Sequence, residues 1–231
     1  MRHRQQFLST SMAALLLAGA TGCSLGQGTG EVKSDSLYAA DCWLNEPYNL
    51  QPDFFAGIPY RNTLQIRVQR GNDLQEVSDG LAILIDDVEL IRTELLGQDL
   101  CVTLPIGVET PGGEPVSSAT DPLDPVLNAV CGDRFLIHAS LYLQSSCHNQ
   151  NSVLYAVAGT MNFEALFSND PQEQDAAEKF TKVGSFTLQM GDPRDAPAGG
   201  KATDIPADKL STVTGNFNFY FERGQPGQPF P

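Results

Sequence analysis

The sequence predicts an all-β domain, a single antiparallel β-sandwich of about seven to nine strands with one short helix and long Pro/Gly-rich loops. Three observations predict it. Period-two alternation of apolar and polar residues dominates from residue 37 onward. Turn residues interrupt that alternation at short intervals, and a single segment has helical character. A closed barrel is the second architecture compatible with the same pattern.

Residues 63–70 alternate cleanly, with Leu64, Ile66 and Val68 on one face and Gln65, Arg67 and Gln69 on the other. Gly71-Asn72-Asp73 reads as the turn that follows. Residues 80–88 form a mostly apolar run suited to a more buried strand, and residues 100–104 a short strand stopped by Pro105. Strands over 134–144 and 153–167 follow, the second bent at Gly159. Residues 183–190 alternate again. In the last strand Val213, Gly215, Phe217, Phe219 and Phe221 point one way and Asn216, Asn218 and Glu222 the other. The helix is expected over 171–180, with Asp170 as N-cap, Pro171 at the first helical position and acids in the first turns. Residues 110–126 (with Pro111, Pro115, Pro122 and Pro125) and 191–208 (with Pro193, Pro197, Pro206 and Gly199-Gly200) are long loops, functional or poorly ordered.

Length and charge bound what this body does. A chain of 231 residues can bury a substantial core in one domain. With 14 Lys+Arg against 28 Asp+Glu its formal charge is −14, which excludes activities that grip nucleic-acid phosphates. Three histidines leave little material for a metalloenzyme.

The first 22 residues read as an export leader: Arg2 and Arg4, then nine apolar or small residues from Met12 to Ala20. Nine residues at 1.5 Å rise span about 14 Å, half of the roughly 30 Å a transmembrane helix must cross. Ala20-Thr21-Gly22-Cys23 follows and resembles the lipobox of bacterial lipoproteins, with Ala20 where leucine is commonest. That resemblance implies cleavage before Cys23 and acyl chains of the palmitate class on its sulfur and amino terminus. It also implies the lipid bilayer as a partner, and Ser24, in place of the aspartate that retains some lipoproteins at the inner membrane, points to the outer membrane. Ala18-Gly19-Ala20 also fits ordinary secretory cleavage. Cysteine parity favours lipid, because removing Cys23 leaves four cysteines, an even number suited to disulfides in an oxidising compartment. Loss of Arg2 and Arg4 leaves 12 bases against 28 acids, or −16. The expected layout is a leader at 1–22, lipidated cysteine and flexible tether at 23–36, the β-domain at 37–224 and a proline-rich tail at 225–231.

Cys131 and Cys147 flank the strand expected over 134–144, whose ends stand about 33 Å apart, too far for the short flanks to recover. The preferred pairs are Cys101 with Cys131 and Cys42 with Cys147. No C-x-x-C or paired Cys/His spacing supports a zinc site.

The candidate chemistry is sparse. Trp43, Tyr48 and Tyr60, in an aromatic run with Phe54 and Phe55, and the polar loop His148, Asn149 and Asn151 are the candidate ligand surface. The competing reading packs the aromatics over one end of the domain. Asp86, Asp87 and Asp170 lie in oxygen-rich groups of the kind calcium uses, but none has the spacing of a twelve-residue calcium loop. Neither an esterase elbow, a P-loop nor a zincin motif occurs. The expected function is a non-enzymatic envelope lipoprotein, without cofactor, that binds an envelope protein or glycan or serves as a structural component. The alternative is an envelope hydrolase working through His138 or His148.

Overall fold

The computed structural model describes residues 28–71, 78–105, 108, 111, 136–147 and 151–222. Among these, ten strands form one continuous sheet: β1 (Gly28–Ala39), β2 (Leu44–Asn49), β3 (Phe54–Tyr60), β4 (Thr63–Gln69), β5 (Gly80–Ile85), β6 (Asp99–Thr103), β7 (Ile137–Leu143), β8 (Ser152–Ala165), β9 (Phe180–Gly191) and β10 (Ser211–Tyr220). Their order is β2-β1-β10-β9-β8-β6-β7-β5-β4-β3, with β7 also reaching β8. Neighbours are antiparallel except β6 and β7, which run parallel through Val102–Ile137 and Thr103–His138. The sheet is mixed and strongly curled, a half-barrel.

This corrects the expected sandwich. Alternation reports that one face is apolar without saying what covers it, and here the cover is the sheet itself. Leu64, Ile66 and Val68 of β4, Leu81, Ile83 and Ile85 of β5, and Phe217 and Phe219 of β10 all point inward and are buried. Phe55 on the edge strand β3 reaches across the hollow to Phe219 and Phe217, with ring centroids 5.9 Å and 6.5 Å apart. The opposite edges β2 and β3 are consecutive in sequence, so residues 50–53 step directly across the gap. Leu50 N donates to Val32 O and Asp53 N to Gln69 O, tying that step to both sides. Each edge strand carries a proline, Pro47 and Pro59, as strands free on one side tolerate.

The N-terminal boundary also moves. Residues 28–36, read as tether, form most of β1, paired with β10 from Gly28–Phe219 to Lys33–Thr214 and with β2 beyond. The glycines read as flexibility are there for close approach. A Cβ on Gly30 would stand 2.6 Å from Phe217 Cβ and 2.7 Å from the Asn216 carbonyl, and one on Gly28 2.6 Å from the Phe55 ring. The rest of the expected tether, the leader and the tail at 225–231 lie outside the described residues.

The helix stands elsewhere. Residues 171–179 make turns because their own acids capture local amides: Asp170 takes Gln172 N, Glu173 takes Gln174 N and Asp175 N, and Asp175 takes Ala177 N. The short helix is α1 (Val88–Leu90), continued by a π turn over Ile91–Leu95. Asp87 caps it by accepting from Leu90 N, and Val88 and Ile91 are buried. The strand expected over 80–88 therefore ends at Ile85. The long loop after β9 is ordered by three single 3-10 turns, and its Ala196, Ala202 and Ile205 pack on Leu104 and Val157 outside the sheet as a small second core. Of the other proline-rich loop only Pro111 is described.

Gly30→Ala tests the β1 assignment. A methyl group driven against Phe217 should cost about 1–3 kcal/mol, seen as a lower urea midpoint. A segment outside the fold would show no change.

Candidate functional site

A cleft of about 530 Å³ opens at the end of the half-barrel where β1 turns into β2. The residues that build it come from both edges of the sheet: Leu44, Glu46, Tyr48 and Asn49 on and around β2, Asp53 before β3, Arg70 and Gly71 after β4, Ser78 and Asp79 before β5, and Ser145 and Ser146 after β7. It is a mainly polar site of hydroxyls, amide, carboxylates and one guanidinium.

Asp79 is the hub. Its buried carboxylate accepts from three consecutive backbone amides through Oδ1, Gln144 N at 2.9 Å, Ser145 N at 2.8 Å and Ser146 N at 3.1 Å. Through Oδ2 it accepts from the Ser146 hydroxyl and, at 3.2 Å, from the Tyr48 hydroxyl. One side chain thereby pins the β7–β8 turn to β2. Burial, then the neighbouring Asp79 charge, pushes the Tyr48 hydroxyl well above its ordinary pKa, opposed by Arg70.

The next residue in that turn is Cys147, bonded to Cys42 with Cα atoms 4.8 Å apart across 105 residues of sequence. This is the pairing the sequence led us to expect. Cys101 is disulfide-bonded too, and Cys131, its expected partner, lies outside the described residues. Trp43 follows Cys42 in the left-handed region (φ 53°), its N–H donating to Ala40 O at 3.1 Å. It is 92% exposed, the most exposed large apolar side chain among the described residues. Asp41, just before the disulfide, pairs with Arg194, which also holds Asp192.

The expected ligand surface is thus only partly assembled. Trp43 and Tyr48 share one end of the fold. Tyr60 lies at the far end of β3, roughly 20 Å along the strand from Phe54, where Arg61 stands 5.2 Å over its ring. Asn151 lines a second, outer cleft with Ser140, Tyr142, Tyr155 and Arg194. His148 and Asn149 lie outside the described residues, as does Cys23. Phe54 and Phe55 are buried.

His138 faces out from β7, yet it is buried, with Nε2 3.0 Å from Asp86 Oδ2 and Nδ1 3.3 Å from the Thr103 carbonyl. It lines neither cleft. The acids considered for calcium have protein partners: Asp86 holds His138, Asp87 caps α1, and Asp170 closes a turn. Among the described residues no three of His, Cys, Asp and Glu converge on a metal position.

The sequence reading missed Asp79, Arg70 and Ser146. Ser78-Asp79-Gly80 reads as a plain surface turn, and nothing in it signals five hydrogen bonds. No protein-family model, no curated protein and no solved structure matches this chain.

Asp79→Ala strands three amides and a phenol, and should lower stability by about 2–4 kcal/mol in chemical unfolding. The raised Tyr48 pKa means the folded state holds a proton that the unfolded state releases above about pH 10. Stability should therefore fall as pH rises past that point, and Tyr48→Phe should flatten the decline. Burial raises Tyr142 and Tyr155 as well, so part of the slope should remain.

Proposed function

We propose that this chain is an exported, lipid-anchored envelope protein of the bacterial outer membrane that binds a glycan, without catalysis, at the cleft beside Trp43. The observation that carries the binding reading is that cleft: about 530 Å³, mainly polar, with Glu46, Asn49, Arg70 and Ser145 along it and an exposed indole at its end of the fold. Hydroxyl-rich sugars use such polar groups for orientation and an aromatic face for stacking. An apolar ligand would find little to bury there.

Export draws its support from the cysteines. A bond between Cys42 and Cys147 belongs to an oxidising compartment, and Cys101 is bonded as well. With Cys131 taken as the partner of Cys101, acylation of Cys23 accounts for the one left over. Among the described residues no helix is long and apolar enough to cross a membrane, so acyl chains are the means of attachment on this reading. Two or more chains are needed for a stable hold. Of the two histidines a hydrolase reading would use, His138 is bracketed by Asp86 and Thr103 and lines neither cleft, and His148 lies outside the described residues.

Two measurements test this. The intact mass of the mature protein from its native membrane should carry acyl chains on a chain beginning at Cys23, and a free thiol there would refute the anchor. On an array of bacterial envelope glycans, binding should fall about tenfold or more with Trp43→Ala or Arg70→Ala at unchanged melting temperature. Binding unaffected by both substitutions would remove the cleft from the function.

A further inference from the structure

The long loop after β9 and the small second core it forms take no part in the cleft beside Tyr48. They build a wall of the other cleft, about 730 Å³, on the outer face of β7 and β8. Register fixes the floor of that cleft. Ser140 is paired with Tyr155 and Tyr142 with Val153, so the two tyrosines lie diagonally on one face, while Leu141, Leu143 and Leu154 are buried on the other. Tyr155 packs against the second core, which holds its ring in place. Burial, then the charge of Asp192, pushes its hydroxyl above the ordinary tyrosine pKa, which sets the turn after β9 beside that ring.

Charge at the outer cleft is balanced. Arg194 holds both Asp192 and Asp41, and Asp195 behind it is paired with Lys209. Arg67 of β4 stands in the same cross-strand row as Ala82, Ser140 and Tyr155. Two half-buried phenol rings therefore sit beside a hydroxyl, the exposed amide of Asn151 and a guanidinium fixed by two carboxylates. That set suits an uncharged ring rich in hydroxyls, its flat apolar face on tyrosine and its rim on the amide and guanidinium.

The two clefts meet at residues 41–44. Leu44 lines the inner cleft, and Cys42 is bonded to Cys147, next to Ser146 of that cleft. Asp41 pairs with Arg194 of the outer one. Asp41 and Leu44 are at most about 11 Å apart, and the exposed Trp43 lies between them in sequence. The β7–β8 connection is shared in the same way, with Ser145 and Ser146 lining one cleft and Asn151 the other.

We propose that the outer cleft is a second sugar subsite, in which a glycan that passes Trp43 from the inner cleft seats a further ring on Tyr142 and Tyr155. This rests on the glycan-binding reading above and narrows its ligand to a chain of several sugars. Once one end of such a chain is held, the other binds intramolecularly, so affinity rises with chain length until both clefts are filled.

The test compares purified disaccharides and hexasaccharides of peptidoglycan and of lipopolysaccharide O-chain repeats. For the repeat that binds, the hexasaccharide should be held about tenfold or more tighter than the disaccharide. Tyr155→Ala should bring hexasaccharide affinity down to that of the disaccharide, and Tyr155→Phe, which keeps the ring, should restore the difference. Asn151→Ala, at an exposed position, should shrink the difference at unchanged melting temperature, and it decides the point if Tyr155→Ala fails to fold. Equal affinity for the two lengths in the native protein, or a difference that persists in the folded variants, would overturn the subsite and leave the inner cleft standing. No binding of either length by the native protein would overturn the glycan reading itself, and the subsite with it.

Discussion

A single sheet can bury an apolar face only against itself, and that constraint organises this protein. Ten strands with their natural twist curl until β3 comes over the start of β1 and the end of β10. The contact that holds the curl is aromatic. Phe55 stacks on Phe219 and tilts against Phe217, while Phe167 and Phe221 stack with centroids 3.9 Å apart. These rings need space, and glycines provide it. Gly28 and Gly30 lie where a Cβ would strike Phe55 or Phe217, and Gly57 sits under Phe221. Fold and glycine placement therefore depend on each other: substituting the glycines expels the rings, and the rings are what bring the two edges together.

How much of this was legible follows from what alternation can and cannot encode. The strands β4 to β10 were visible because each carries inward apolar residues at alternate positions, as in Leu64, Ile66 and Val68. The β1–β3 stretch was not, since Gly28, Gly30, Pro47 and Pro59 look like linker and turn chemistry until the packing around them is known. Sandwich and curled sheet share one pattern, because a buried face reads the same whichever layer covers it. The helix failed in both directions. Asp170 and Pro171 are proper start signals, but the acids behind them prefer their own backbone amides. Asp87 with Val88, Ile91 and Leu95 is a genuine capped helical pattern, hidden because the apolar run from Gly80 leads straight into it. The candidate site was half legible. Tyr48 and Trp43 stood out by residue type, whereas Asp79 acquires its role only when the 144–147 turn is brought to it.

Two independent ties meet at that turn, and their coincidence bears on the site they frame. A curled open sheet is weakest where its edges do not hydrogen-bond to each other, and the cleft lies at that seam. Asp79 fixes residues 144–146 by three amides, and the adjacent Cys147 is bonded to Cys42 in the β1–β2 connection. The disulfide restricts the unfolded chain over a separation of 105 residues, so its stabilisation is global. Asp79 acts locally, by removing the orientational freedom of the groups around it. Together they place Tyr48, Arg70, Ser145 and the neighbouring Trp43 on one pinned frame, so that a ligand of the proposed kind would order few side chains on arrival. A cleft at an unpinned seam would open and close with the breathing of the sheet. Here the fold's weakest line carries both a disulfide and a five-bond carboxylate hub, the rigid rim that the proposed recognition calls for.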